Sequence, residues 1–227
     1  SLIVEDRQVT GNDGVFYFIL SLVLYVALVR IFFYKYITTL FTLFFRAPMR
    51  QQQLREQLLQ APLPALLLNI FFVIGLATYL TFLASHYKMP VADHFWNMLM
   101  YTTALVAIIY TAKFIILKIA GWIFGISSMV DTYLFVVFLI NKMIGIFLLP
   151  ILILLAFPEP MILPVVIIFS YFMLGGMVLY LFLISYRPVR AEIKLTRLHF
   201  FFYLCGLELA PLLLIYKVLL SLMDGQS

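Results

Sequence analysis

The sequence predicts an all-α fold, a polytopic membrane bundle of six transmembrane helices, and three observations carry that reading. Of 227 residues, 65% are hydrophobic and only 11% charged, against about 45–50% apolar and roughly 25% charged in soluble domains. The mean hydropathy is +1.11. The apolar residues are gathered into long runs, such as Phe147–Phe157 and Met177–Ile184, that are apolar on every side. A folded soluble chain must cover its exterior with polar groups, and this one carries too few. A membrane β-barrel would alternate polar and apolar residues over about ten positions. Disorder is excluded by the same excess of apolar residues.

A helix crosses a hydrocarbon layer about 30 Å thick with roughly 20 residues. Six stretches reach that length: Val15–Tyr34, Pro62–Ser85, Trp96–Leu117, Tyr133–Phe157, Met161–Tyr186 and Leu198–Leu222. Residues 1–227 therefore read as one transmembrane domain. Asn12, Asp13 and Gly14 precede the first span. No charged n-region or small-residue cleavage site marks that span as a signal peptide. Pro62 and Pro64 stand in the first turn of the second span, where a missing N–H costs little. His86, Lys88, Pro90 and Asp93 mark the second loop, and Gly125, Ser127, Ser128 and Asp131 the third. Pro158, Glu159 and Pro160 predict a short hairpin before the fifth span, and Arg187 and Pro188 its end.

The first loop, residues 35–61, is too long for a turn. Its front half interleaves Tyr34, Tyr36, Leu40, Phe41, Phe44 and Phe45 with Lys35, Thr38, Thr39 and Arg46. Basic residues beside an aromatic face suit a helix lying in the membrane surface. The first span is therefore expected to continue into an interfacial helix, with Gln51–Gln60 as a polar helix behind it. The alternative is one long first helix that leaves the membrane.

Basic residues in short loops are retained on the cytoplasmic side. Loop one and its flank hold Arg30, Lys35, Arg46, Arg50 and Arg55; loop three and its flank hold Lys113 and Lys118; loop five holds Arg187, Arg190, Lys194 and Arg197. The other side holds Arg7 and Lys88. Loops one, three and five are expected in the cytoplasm, with both termini outside, in the periplasm. The net charge of +5 then reads as a topology signal and an anchor for anionic lipid headgroups. No basic groove with base-reading elements is present, so nucleic acid is not an expected partner.

Ionisable groups inside a bilayer cost roughly 2.5–3.5 kcal/mol at the helix centre and are functional candidates by default. Lys217 lies close enough to a span end to snorkel. Lys142 and Glu208 do not: each lies roughly 14–15 Å deep on helices running in one direction. They are expected to form a buried pair, extended by Asn69, Asn141 and Tyr203, with His199 nearer the headgroups. Pro150 and Pro211 are expected to break their helices beside this cluster, because each frees the carbonyl four residues earlier. Gly121 and Gly125 form a small-xxx-small pair that suits internal packing.

Catalytic signatures are missing. There is no HExxH pair, no nucleophile elbow and no phosphate-binding glycine loop. His86, His94 and His199 do not stand at metal-ligand spacing. Cys205 is alone, which excludes a disulfide framework or a cysteine-based metal site. No catalytic residue, metal or cofactor is expected, and the protein is not expected to be an enzyme.

The string Leu198-His199-Phe200-Phe201-Phe202-Tyr203-Leu204-Cys205-Gly206-Leu207-Glu208-Leu209-Ala210-Pro211-Leu212-Leu213-Leu214 resembles the end of a Bacteroidota integral-membrane family, domain of unknown function 4271. The likeness extends over most of the chain, including the order of spans and the Arg-rich fifth loop. It implies a multi-pass protein of the bacterial inner membrane and brings no activity, substrate or catalytic residue with it. Lys118 to Phe157 is more distantly similar to the Yip/Yif-like membrane superfamily. The expected role is a non-enzymatic scaffold or partner subunit in envelope assembly or secretion. Its partners would be the bilayer, anionic headgroups and other membrane proteins. The alternative is a small transporter or channel for protons, ions or lipid-like substrates, built on Lys142 and Glu208. A dry, filled contact around these charges favours the first, and a cavity open to one side the second.

Overall fold

In the computed structural model, the described residues are 13–45, 56, 58, 60–87, 95–123, 125, 127–157 and 161–192; side chains are described at all of these except 129, 182 and 185–192. They form six helices and, among the described residues, no strand: α1 Asp13–Phe32, α2 Tyr34–Phe45, α3 Pro62–His86, α4 Phe95–Ile123, α5 Ser127–Ala156 and α6 Leu163–Glu192. All but α2 are long and apolar enough to cross a membrane, consistent with a multi-pass membrane protein. The expected sixth span, Leu198–Leu222, lies outside the described residues.

α5 is the axis of the bundle. It packs against α1, α2, α3, α4 and α6. Its most apolar stretch is 67% buried, against 44% for α3, 22% for α1 and for α4, and 17% for α6. Hydropathy alone does not select it, because lipid tails are as apolar as leucine and cover any apolar helix equally well. The adjacent Asn141 and Lys142 do select it. A helix carrying them mid-span must turn them away from lipid, and both are buried here.

The spanning helices alternate in direction. The starts of α1, α4 and α6 and the ends of α3 and α5 share one apolar cavity of about 390 Å³, lined by Val15, Phe95, Leu163, Phe82 and Leu155 among others. At the opposite end, α4 turns into α5 through Gly125, whose φ of +67° is the left-handed conformation that glycine adopts without strain. A Cβ on Gly121 would stand 2.9 Å from Val130 Cγ2, so this glycine serves contact between α4 and α5. Lys118 Nζ and Asp131 Oδ1 pair at 2.5 Å across the same turn. Midway along the bundle, α3 and α5 approach closely. A Cβ on Gly145 would lie 3.1 Å from the Phe72 Cα.

Buried hydroxyls tie the helices together. Ser170 Oγ on α6 donates to its own helix at Ile167 O, 2.7 Å, so Tyr79 on α3 donates to Ser170 at 2.6 Å. Thr81 and Thr102 meet at 2.8 Å between α3 and α4. Tyr25 on α1 donates to Leu67 O at 3.1 Å, and its ring stacks on Phe71.

Several boundaries differ from the sequence expectation. Ser127, Ser128 and Asp131 lie inside α5 rather than in a loop, because the single turn at Gly125 is tight enough to join the helices. α5 runs through Pro150 without interruption, so Pro150 does not break it. The side chain is exposed, the loss is one hydrogen bond, and local adjustment absorbs such losses in membrane helices. α6 likewise continues past Arg187 and Pro188 to Glu192. The first span runs on into the helix after it: only Phe33 interrupts them, and helical hydrogen bonds from Phe33 N–H to Val29 O at 2.9 Å and from Ile37 N–H to Phe33 O at 3.1 Å bridge the junction. Tyr36, Ile37, Leu40, Leu43 and Phe44 form one buried stripe on α2. That stripe faces protein: Phe44 meets Phe147 of α5 and Tyr180 of α6, and Tyr180 OH donates to Phe44 O. The amphipathic helix thus spends its apolar face on the bundle instead of on lipid.

A cleft ending at a buried lysine

Lys142 lies midway along α5, about 22 Å from Ser127 at 1.5 Å per residue. Its side chain is 7% exposed. Nζ donates to Tyr36 OH on α2 at 3.0 Å and lies 5.6 Å from the centre of the same ring. α2 delivers this contact because Tyr36 opens its buried stripe, one helical turn before Leu40.

Lys142 and Tyr36 line a cleft of about 540 Å³ between α2, α3, α4 and α5. Asn69 of α3 lines it as well, and its Oδ1, fully buried, has no hydrogen-bond partner among the described residues. Phe114 from α4 and Phe135, Phe138 and Leu139 from α5 supply apolar wall. Lys118 and Asp131 line it too, and both side chains are about half exposed. The cleft therefore runs from this exposed ion pair to the buried ammonium. Asp131 and Lys142 are about 16 Å apart along the axis of α5.

Of the expected cluster, Lys142 and Asn69 come together on one cleft. Asn141 is buried but does not line it, since successive residues on a helix point about 100° apart. Pro150 also lies outside the lining. Glu208, Tyr203 and Pro211 lie outside the described residues, as do Arg46, Arg50, Arg55, Lys194 and Arg197. Lys35 is exposed on α2, and Arg187 and Arg190 are in α6, where only the backbone is described. Among the described residues no three potential metal-ligating side chains stand together.

Two residues carry more than their sequence context suggested. Tyr36 read as one of several surface aromatics. Its signal was the spacing 36, 40, 43, 44, which is a single helix stripe. Lys113 read as a topology marker, yet it is 8% exposed. Helix α4 extends to Ile123 and so places this lysine well inside a span.

The family model described as Domain of unknown function (DUF4271) matches residues 15–219. No curated protein and no solved structure matches the chain. The chain belongs to the DUF4271 family.

Proposed function

We propose that this protein is a non-enzymatic, multi-pass protein of the bacterial inner membrane that takes up a small solute through the Lys142 cleft, with loops one, three and five in the cytoplasm. One observation carries the reading: a buried ammonium group stands at the inner end of a 540 Å³ cleft. A cation at mid-span costs free energy, and a purely structural one would be closed in by its partners. Here the ammonium's hydrogen-bond partner among the described residues is the Tyr36 hydroxyl, and Lys142 and Tyr36 both line the cleft, so polar groups border space a ligand can fill. Small-molecule sites combine an apolar lining with a few polar anchors in this way. A scaffold role, by contrast, favours a filled contact at this position.

The test is purification from native membranes in mild detergent, followed by native mass spectrometry. A small-molecule adduct on the wild-type chain, lost in a folded Ala65→Phe variant that fills the cleft, is the expected result. Stoichiometric recovery of a second polypeptide, with no adduct and no effect of Ala65→Phe, would support a scaffold and defeat the proposal.

A further inference from the structure

The geometry points to a monocarboxylate with an apolar body as the ligand of the Lys142 cleft, an assignment that rests on the ligand-binding reading above. The charges in the lining decide the ligand's sign. Lys118 is neutralised by Asp131 at 2.5 Å. Lys142 has no acidic partner among the described residues; its hydrogen bond goes to the uncharged hydroxyl of Tyr36. Among the described residues one positive charge is left over, at the buried end. A ligand cation would meet a like charge there, and a neutral ligand would leave the ammonium uncompensated in a low-dielectric setting.

The number and type of donors decide the anion. An ammonium has three protons, and Tyr36 takes one of them. Because Tyr36 OH accepts from Lys142, its own proton is free to be donated. Asn69 lines the facing wall, where its amide N–H, not its accepting Oδ1, is the group that suits a carboxylate. One cation and one hydroxyl donor complement a carboxyl group. A phosphate dianion calls for more positive charge and is typically met by an arginine fork, and among the described residues no arginine lines the cleft.

The rest of the wall decides the body. Phe114 and Phe138 meet with ring centres 5.9 Å apart, and Phe135 and Leu139 continue the apolar lining. The carboxyl group is placed at Lys142 and the apolar body toward the mouth. Both a fatty acid and an aryl carboxylate have this chemistry.

The experiment follows thermal unfolding of the full chain in non-ionic detergent with decanoate, naphthoate, decanol, decylamine and decyl phosphate as probes. Carboxylates are expected to raise the melting temperature saturably, with affinity at least tenfold above that of decanol. Binding should fall at least tenfold in Lys142→Met and be absent in Ala65→Phe, which leaves the lysine in place should the first variant fail to fold. A response to decanoate alone identifies an alkyl source, and to naphthoate alone an aryl source. The assignment is overturned if decyl phosphate binds more tightly than decanoate, if decanol matches it, or if Lys142→Met binds like wild type. It is also overturned if wild type ignores carboxylates and Glu208→Gln gains them, because the chain's own carboxylate then occupies the place. If decanol or decylamine binds saturably and Ala65→Phe removes that binding, the carboxylate falls and the ligand-binding reading stands. If no probe binds and native adducts are missing too, both fall.

Discussion

Replacing Gly145 with alanine tests the close approach of α3 and α5. The added Cβ would stand 3.1 Å from the Phe72 Cα and 3.3 Å from Phe71 Cδ1 and Phe72 Cβ. Ordinary carbon contacts lie at about 3.5–4.0 Å, so the neighbours must retreat by about 0.4 Å or more. The nearest atom is helix backbone, and Phe71 and Phe72 are both buried. Retreat therefore means moving α3, not rotating a side chain. Overpacking of this kind costs about 1–3 kcal/mol. In water, alanine would recover up to about 1 kcal/mol of helix propensity. In a bilayer the disassembled helices remain helical, because their backbone has no other partner, and this recovery shrinks. Gly75 and Gly176 supply the controls, since a Cβ at either meets nothing within 4 Å. In mixed micelles titrated with a denaturing detergent, Gly145→Ala should lose about 1–3 kcal/mol relative to Gly75→Ala and Gly176→Ala. The reasoning is refuted if Gly145→Ala unfolds at the same point as the two controls, or later.

Other contacts yield further expectations. Ser170→Ala strands the buried Tyr79 hydroxyl and should cost about 1–3 kcal/mol, whereas Tyr79→Phe leaves Ser170 bonded to Ile167 and should cost about 0.5–1.5 kcal/mol; the same unfolding titration ranks them. A double-mutant cycle of Lys142→Met and Glu208→Gln measures the expected pair directly. A coupling above about 1 kcal/mol is the signature of the pair, and the carboxylate assignment expects less than about 0.5 kcal/mol. Asp131→Asn should cost no more than about 1 kcal/mol, because the Lys118 pair is half exposed, and raising the salt concentration should shrink that cost.

The helical class and five of the spans were legible because length and apolarity are local properties. Lys142 and Asn69 were legible as neighbours because depth along straight helices is arithmetic. The central place of α5 was harder to read, since every span is apolar and lipid tolerates any of them outside. The protein-facing stripe of α2 was hard to read for a related reason: Tyr36, Ile37, Leu40, Leu43 and Phe44 have the same spacing whether lipid or protein covers them. Pro150 misled because its rule comes from helices in water. In a bilayer, losing one hydrogen bond does not stop a helix that has no solvated alternative. The burial of Lys113 was not legible because positive charge near a loop is the common case, and only the extra turns of α4 draw it inward.

The axial position of α5 also imposes an order in time. Ribosomes deliver α1, α2, α3 and α4 before the helix on which they converge. Until Ser127–Ala156 enters the bilayer, α2 lacks the surface for its apolar stripe, Tyr36 has no lysine to hold, and Asn69 looks onto lipid. Chains that end before this point lack the helix that α1, α2, α3 and α4 pack against in the finished protein.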